Sequence, residues 1–215
     1  WWRSRSATTP SEPGWPRVCE AVSGIDRASC PGSQLMHNAH QGITLSPITE
    51  PDFPLLRTLA TTIWRQHYAG IISAPQIDYM LAGRFGDENL RGYLRATDRW
   101  LELLRVAGSP VGYCGSELSL EHPTELKLGQ LYVLEPHRGQ GLGKRMLAHV
   151  ETRACDLGRP TLVLQVNRQN TGAIAFYESA GFRIRREAVF DIGNGFVMDD
   201  YVMVKPLGTV GPSPV

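Results

Sequence analysis

A glycine-rich turn that joins a strand pattern to a long helix pattern is the most constraining feature of this chain. Leu131–Leu134 has the apolar character of a strand, and Gly139, Gly141 and Gly143 follow it. From Gly141 to Leu157 apolar residues recur on one helical stripe. Glycines allow close approach to a ligand, and a helix start presents unpaired N–H groups and a positive dipole end. The segment therefore predicts a phosphate or pyrophosphate site.

Two common phosphate loops do not fit the spacing of these glycines. A Walker A loop requires Gly where the chain has Arg138, and Ser or Thr where it has Arg145. A dinucleotide fingerprint requires a third glycine where the chain has Lys144. The pattern present is R-x-x-G-x-G, formed by Arg138, Gly141 and Gly143.

The rest of the chain predicts one mixed domain of the α/β (α+β) class. Strand and helix patterns follow in the order β-α-α-α-β-β-β-α-β-α-β-β. The predicted strands are Ile43–Ile48, Trp100–Ala107, Pro110–Leu120, Leu126–Leu134, Thr161–Val166, Arg183–Phe190 and Met198–Val204. The predicted helices are Asp52–Tyr68, Ala74–Phe85, Glu88–Thr97, Gly141–Leu157 and Thr171–Ala180.

We expect this domain to occupy residues 42–207. Residues 1–41 contain several prolines and serines and no lasting periodicity, which predicts a disordered or mis-assigned leader. Met36 is the first methionine, and our hypothesis is that the natural start lies there. Residues 208–215 contain Gly and Pro and are predicted to be a flexible tail.

Composition excludes several classes of protein. The chain has 22 basic and 21 acidic residues, a net charge of +1, whereas nucleic-acid binders usually carry a basic excess. No stretch approaches the roughly 18 apolar residues of a membrane span. The four cysteines form no C-x-x-C pair, and no His pair has metal-ligand spacing. We therefore expect a cytoplasmic protein with reduced thiols and without metal, nucleic-acid or membrane partners.

A second motif follows the glycine-rich turn after one helix and one strand. Asn170, Ala173, Ile174 and Tyr177, with Gly181-Phe182, form N-x-x-A-I-x-x-Y-x-x-x-G-F. Together the two motifs resemble the acetyl-CoA-binding segments of the GNAT superfamily of N-acetyltransferases. The resemblance covers about residues 42–207 and is strongest over 126–182.

The resemblance implies a fold and an acetyl-CoA site. The expected sheet is mixed, mostly antiparallel and splayed between its fourth and fifth strands, with flanking helices and acetyl-CoA in the opening. The backbone of Leu131, Tyr132 and Val133 would bind the pantetheine arm like an added strand, and Asn170 and Ala173 would contribute from the next helix. The pyrophosphate would be held around Arg138, Gly139, Gln140, Gly141, Leu142, Gly143 and Lys144.

The same resemblance assigns the chemistry only in part. Tyr177 takes the position of the general acid, which would protonate the departing CoA thiolate, and would also contact CoA. A primary ammonium must lose a proton before it attacks. Many relatives carry a Glu for this near the position of Gly129, so the base is left open. We predict Glu135 as the catalytic carboxylate, with Glu117 or a water chain as alternatives.

The acceptor end is defined less sharply by the sequence. In the family the first helix helps to form the acceptor wall. Candidate wall residues are Trp64, His67 and Tyr68. Candidate acidic rim residues, which would attract a cationic amine, are Asp191, Asp199 and Asp200. Candidate contacts to the CoA 3′-phosphate are Arg183, Arg185 and Arg186, for which exposed strand charge is the alternative interpretation.

The function predicted from these observations is N-acetylation of a primary amine, either a small molecule or a polyamine. A protein N-terminus or lysine is the alternative acceptor. A non-catalytic acyl-CoA-binding regulatory module is a second class of function, favoured by Gly129 and disfavoured by Tyr177. The resemblance also leaves a homodimer open, because edge strands near the C-terminus often pair subunits in this family.

Overall fold

The computed structural model describes residues 42–120 and 122–208. The predicted leader and nearly all of the predicted tail lie outside the described residues. The strands are β1 (Ile43–Pro47), β2 (Arg99–Val106), β3 (Ser109–Leu118), β4 (Glu125–Val133), β5 (Thr161–Asn167), β6 (Arg183–Gly193) and β7 (Phe196–Pro206). The α-helices are α1 (Phe53–His67), α2 (Ala74–Phe85), α3 (Asp87–Arg95), α4 (Leu142–Asp156) and α5 (Thr171–Ser179).

The strands form one mixed sheet in the order β1-β2-β3-β4-β5-β7-β6. All neighbouring pairs are antiparallel except β4 and β5, which run parallel. The helix α4 makes the crossover between these two strands. This confirms the predicted fold class and order of elements. No helix of the described part of the chain is long and apolar enough to span a membrane.

The sheet opens between β4 and β5. The two strands pair only from Glu125–Leu128 to Thr161–Leu164, and their remaining residues diverge. On its other side β4 carries a bulge, because Gly115 faces Gln130 while Ser116 faces Leu128, which leaves Gly129 without a partner. A bulge bends its strand and increases the local twist. The splay implied by the resemblance is therefore present, and Gly129 lies where it begins.

Apolar cores lie on both faces of the sheet. On one face α1 packs with Leu56, Ile63 and Trp64 against Leu103 and Tyr113, all at most 1% exposed. The predicted apolar spacing of α1 is confirmed by this burial. Full burial of one such side chain contributes about 1.5–3 kcal/mol.

The opposite face is covered by α4 and α5. The stripe predicted for α4 is buried at Leu142, Met146, Val150 and Ala154. Leu157, the last member of the predicted stripe, is 40% exposed because the helix ends at Asp156 and Leu157 is its C-cap.

The closing hairpin is longer than the sequence pattern indicated. Its strands continue to Gly193 and resume at Phe196, so only Asn194 and Gly195 form the turn. Both turn residues have positive φ, +55° and +76°, which Asn and Gly tolerate. The extension brings the hairpin tip to α2, a contact that shapes the site described below.

A buried carboxylate fastens α4 to the sheet. Glu102 of β2 is 1% exposed and accepts hydrogen bonds from Arg153 and His149, the latter at 3.1 Å. Burial raises the pKa of Glu102, but these hydrogen bonds and the charges of both partners outweigh it and lower the pKa overall. Arg153 also donates to Ser116 at 3.2 Å, so one guanidinium connects α4 to two strands.

Candidate active site

A continuous cleft of about 2350 Å³ occupies the opening of the sheet. The diverging ends of β4 and β5 form its walls. One end is formed by the glycine-rich turn and the start of α4. The other end is formed by α1, α2 and the β6–β7 hairpin. We call these the anion end and the acceptor end.

At the anion end the backbone is arranged to present N–H groups. Gly139 and Gly141 have φ of +76° and +77°, and Gly141 is the N-cap of α4. The first hydrogen bond of the helix runs from the Arg145 N–H to the Gly141 carbonyl at 3.0 Å. The N–H groups preceding it in the first turn have no partner inside the helix.

The anion end also has room for a ligand. A Cβ atom built at Gly139 or Gly141 would meet nothing within 4 Å. Arg138 folds back and donates from Nε to the Val133 carbonyl at 3.3 Å. Free N–H groups, a helix dipole and open space fit a pyrophosphate.

The free edge of β4 leads from this end into the cleft. Beyond Leu128 the strand has no partner on the β5 side, so Leu131–Val133 can add an extended chain there. The predicted cofactor-site residues that line the cleft are Leu131, Tyr132, Val133, Arg138, Gly139, Gly141, Leu142, Gly143, Lys144, Asn170, Ala173 and Tyr177. Gln140 does not line it, since its Nε2 atom donates to the Pro136 carbonyl at 3.3 Å.

Asn170 joins two elements of the cleft wall. Its Oδ1 atom accepts from the Ala173 N–H at 3.3 Å and caps α5. Its Nδ2 atom lies 2.9 Å from Nε2 of His67, at the end of α1. The amide donates, so His67 accepts at this nitrogen. Burial, and second the charge of Arg138, lower the pKa of His67, which keeps the ring neutral and able to accept.

Tyr177 projects from α5 into the cleft. Its ring contacts Phe176 and Phe182, with centroid distances of 5.2 and 5.5 Å. Burial, and second the neighbouring Tyr132, raise the pKa of Tyr177 well above its usual value of 10. The hydroxyl therefore holds its proton at neutral pH and can donate it.

Hydrogen-bonded aromatic side chains line the acceptor end. Trp64 donates from Nε1 to the Tyr113 hydroxyl at 2.8 Å. The hydroxyls of Tyr68 and Tyr132 are 2.9 Å apart. Burial raises the pKa of all three tyrosines, so they stay neutral. The predicted wall residues, Trp64 and Tyr68, line the cleft together with His67. Tyr113 of β3 is fully buried behind these residues and does not line the cleft itself.

The candidate carboxylates from the sequence occupy different environments. Glu135 is exposed, on a 3-10 turn, and does not line the cleft. Glu117 lines the cleft but forms an ion pair with Lys127 at 3.3 Å. Asp191 is exposed and accepts from the Gly193 N–H at 2.8 Å. Asp199 is exposed and lies 3.5 Å from Arg168.

Asp200 differs from the other candidate carboxylates. It is 5% exposed, lines the cleft, and its Oδ1 atom has no hydrogen-bond partner among the described residues. In the sheet it faces Asn167 of β5, on the wall opposite β4. Burial, and second the charge of Asp199, raise the pKa of Asp200 to about 6.

Arg84 of α2 is a cleft residue that sequence reasoning did not identify. Its guanidinium lies over the Trp64 ring, 5.9 Å from the centroid. Its Nε atom is buried without a hydrogen-bond partner in the described ranges. The available signal was its spacing, since Ile77, Met80 and Arg84 are at i, i+3 and i+7 and Arg84 interrupts an apolar stripe.

The arginines of β6 are remote from the anion end. Arg185 pairs with Glu125 at the start of β4, the end of that strand farthest from the glycine-rich turn. Arg186 also lines the cleft, and Arg183 does not. In the described ranges no group of three or more His, Cys, Asp or Glu could hold a metal ion.

Comparison with known families agrees with this geometry. A sequence model described as the acetyltransferase (GNAT) family matches residues 58–182, more than half of the chain. The chain therefore belongs to the GNAT family of acetyltransferases, as its two motifs indicated. Acetyl-CoA is the co-substrate of this family.

Individual relatives share part of the chain. The peptidyl-lysine N-acetyltransferase YjaB of Salmonella typhimurium is 36% identical over 88 residues, 40% of this chain and 52% of that protein. The probable N-acetyltransferase Rv2775 of Mycobacterium tuberculosis is 26% identical over 62% of this chain and 75% of that protein. The chain thus spans about half the length of the first of these relatives.

A solved structure shares the fold. The PaiA N-acetyltransferase from Thermoplasma acidophilum, in complex with coenzyme A, superposes with a TM-score of 0.65. The superposition covers 77% of this chain and 99% of that one, at 22% identity. At 22% identity, this similarity shows a shared fold alone.

Proposed function

We propose that this chain is an acetyl-CoA-dependent N-acetyltransferase that acts on a small-molecule primary amine. The observation that carries the proposal is the cleft itself, which joins a helix start suited to pyrophosphate, a free strand edge and the half-buried Tyr177 in one channel. Membership of the GNAT family supports it independently.

Acetyl-CoA would lie along the divergence of β4 and β5. Backbone N–H groups from Gly139 to Lys144 would hold the pyrophosphate, and the free edge of Leu131–Val133 would bind the pantetheine arm. Both sets of contacts are made by backbone atoms, which suits a carrier whose arm resembles a peptide. When bound, acetyl-CoA supplies the acetyl group and leaves as the thiol.

Two side chains of the cleft can manage the protons. Asp200 accepts one proton from the ammonium, and the free amine nitrogen then bonds to the acetyl carbon. Tyr177 donates its proton to the sulfur as the carbon–sulfur bond breaks. The nitrogen releases its second proton to water as the amide forms, and proton exchange with water restores Asp200 and Tyr177. This assignment replaces Glu135, which is exposed and outside the cleft.

The acceptor end favours a small molecule over a protein chain. Tyr79 of α2 donates to the Ile192 carbonyl of the hairpin at 2.8 Å, and Gln76 donates to the Val197 carbonyl at 2.7 Å. The rings of Tyr79 and Phe196 are 5.5 Å apart. These contacts tie α2 to the hairpin across the place where an extended peptide would enter.

The direct test is release of CoA thiol from acetyl-CoA in the presence of defined amines. The panel contains amino acids, spermidine, an aminoglycoside and a lysine-containing peptide. We expect amine-dependent release with a small amine and a lower kcat in Tyr177→Phe, by about 10²-fold or more. Tyr201→Phe removes the same hydroxyl from a half-buried tyrosine outside the cleft and is expected to retain activity.

Other outcomes separate the alternatives. Preference for the peptide would contradict the small-molecule acceptor and match the activity named for the Salmonella relative. Binding of acetyl-CoA without release for any amine would favour the regulatory acyl-CoA module. Full activity in Tyr177→Phe would be consistent with an acetyltransferase but would contradict Tyr177 as its general acid.

A further inference from the structure

Two oppositely charged side chains at the acceptor end each have a buried polar atom without a hydrogen-bond partner in the described part of the chain. Asp200 is 5% exposed with Oδ1 unpartnered, and Nε of Arg84 is buried and equally unpartnered. Neither side chain forms an ion pair in the ranges 42–120 and 122–208. A buried polar atom without a partner is costly, because no interaction replaces its lost hydration.

The two groups belong to the same region of the cleft. Both line it, Arg84 from α2 and Asp200 from β7. Burial raises the pKa of Asp200, and the charge of Arg84 acts on it in the opposite direction. Both charges also act on Tyr132, whose pKa is raised chiefly by burial. Gln76 of α2 donates to the Val197 carbonyl of β7 at 2.7 Å, so the helix that carries Arg84 packs against the strand that carries Asp200. A molecule between these two elements can therefore meet a carboxylate and a guanidinium together.

We infer that the acceptor is an amphoteric primary amine that carries a carboxylate, as an amino acid does, with its ammonium at Asp200 and its carboxylate at Arg84. The inference rests on the proposed function and specifies its substrate class. Guanidinium groups bind carboxylates through strong charge-assisted hydrogen bonds. A polyamine would instead bring a second cation next to Arg84.

The surroundings of the two charges suit an acceptor with an apolar side chain. Trp64, Tyr68, Tyr132 and Met198 line the same end of the cleft. Their exclusion of water strengthens both ionic contacts. The matched amines for the test are therefore chosen with apolar side chains.

The test compares amines that differ only in the carboxylate. L-phenylalanine is paired with 2-phenylethylamine, and L-leucine with 3-methylbutylamine, with spermidine alongside. Using the full chain, kcat/KM for each amino acid should exceed that of its partner by about tenfold or more. A preference for spermidine or for the amines without carboxylate would overturn the inference while leaving the proposed function intact.

Variants at Arg84 identify the group that reads the carboxylate. Arg84→Met keeps the length of the side chain, and we expect it to lower kcat/KM for the amino acids about 30-fold or more. At pH 8, above the pKa of Asp200, it should lower kcat/KM for the paired amines much less than for the amino acids. Arg91→Met, at a half-buried position of α3 outside the cleft, is the matched control. Equal losses for both kinds of amine would contradict the inference.

Two further measurements keep the result decisive. If Arg84→Met does not fold, as judged by thermal unfolding, Arg84→Lys serves instead. We expect its ratio of kcat/KM for an amino acid to kcat/KM for the paired amine to be smaller than in the parent protein. If no amine is acetylated, calorimetry measures binding of L-phenylalanine and 2-phenylethylamine to the protein with CoA. Carboxylate-dependent binding there supports the inference, and its absence overturns it.

Discussion

Asp200 combines burial with the lack of a partner, and this combination has a cost at neutral pH. Its pKa of about 6 in the folded chain lies above the ordinary value of 3.8. A raised pKa means that the folded state favours the protonated form. The stability that this carboxyl contributes is present at low pH and is lost as the pH rises through about 6.

Asp200→Asn should therefore stabilise the protein under alkaline conditions. We expect the free energy of unfolding at pH 8 to rise by roughly 2 kcal/mol, and the difference from the parent to shrink toward zero by about pH 4. Urea unfolding at the two pH values measures this. Asp98→Asn, at an exposed position, should change little. A variant less stable than the parent at pH 8 would contradict the prediction.

The pH dependence of the rate should identify the same carboxyl. As a base, Asp200 acts only when ionised, so kcat/KM should rise with pH through about 6 and then level off. Because the pKa of Tyr177 is raised above 10, this acid should cause no decline at moderately alkaline pH. Steady-state rates from pH 5 to pH 9 test both the rise near pH 6 and the absence of an alkaline decline. If the rise near pH 6 persists in Asp200→Asn, another group must be the base.

At the residue scale, the sequence predicted which residue types form the site better than which way each side chain points. Asp199 and Asp200 were equal candidates, because neighbouring strand residues face opposite sides of a sheet and a shift of one residue exchanges them. The pairing of Asp200 with Asn167 decides between them, and that register is a tertiary property. The places of Tyr177 and the glycines in the cleft could be predicted because their two motifs have fixed spacing, and their roles stay predictions.

At the scale of elements, the start of α4 depends on the backbone conformation of Gly141. Its φ of +77° is unfavourable for other residues, although a Cβ would have space. In Gly141→Ala we expect about 1–2 kcal/mol of strain and a rise in KM for acetyl-CoA of about tenfold. Gly158→Ala, with φ of +63° just after the C-terminal end of the same helix, is the matched control and should keep the parental KM. An unchanged KM in Gly141→Ala would argue against pyrophosphate binding there.

The fastening of α4 by Glu102 is tested through Arg153. Arg153→Met leaves a buried carboxylate with only His149 and Cys114 as hydrogen-bond partners from the residues that the structure describes, and should lower the free energy of unfolding by about 3 kcal/mol. Because the pKa of Glu102 is lowered in the parent, its stabilisation is present above about pH 4.5 and lost as the pH falls. Chemical denaturation at pH 7 measures the loss, with Arg145→Met, exposed on the same helix, as control. Equal stability of both variants would contradict this account.

The order of elements could be derived from periodicity, but the opening of the sheet could not. Thr161–Val166 has the pattern of a buried strand whether or not β4 pairs along its full length. The splay between β4 and β5 was predicted from the family resemblance alone. In the structure it coincides with the bulge at Gly129. Asn194-Gly195 is a typical two-residue hairpin turn, and this dipeptide could have been used to predict the longer bounds of the last two strands.

At the scale of the whole molecule, few main-chain contacts join the two halves of the sheet. Between β4 and β5 only Glu125–Leu128 and Thr161–Leu164 pair, so a ligand in the cleft would bridge both sides. At 100 times its Kd, acetyl-CoA should add about 2.7 kcal/mol to the free energy of unfolding. This corresponds to a rise in Tm of about 5–10 °C. Thermal unfolding with and without acetyl-CoA measures it, and adenosine at the same concentration is the control. No shift at saturating acetyl-CoA would contradict binding in the cleft.

The interruption of pairing after Leu128 also bears on how the chain must fold. Parallel strands that begin to pair tend to continue pairing. A strand edge left unpaired can instead pair with another chain, which promotes aggregation. Here the pairing of β4 with β5 ends at Leu128, next to Gly129, which is unmatched on the β3 side of the same strand. With acetyl-CoA bound along this edge as proposed, the pantetheine arm would take the place of a missing strand, and a newly made chain would keep the edge unpaired until the molecule arrives. Cellular supply of that molecule would set how long the exposed edge persists.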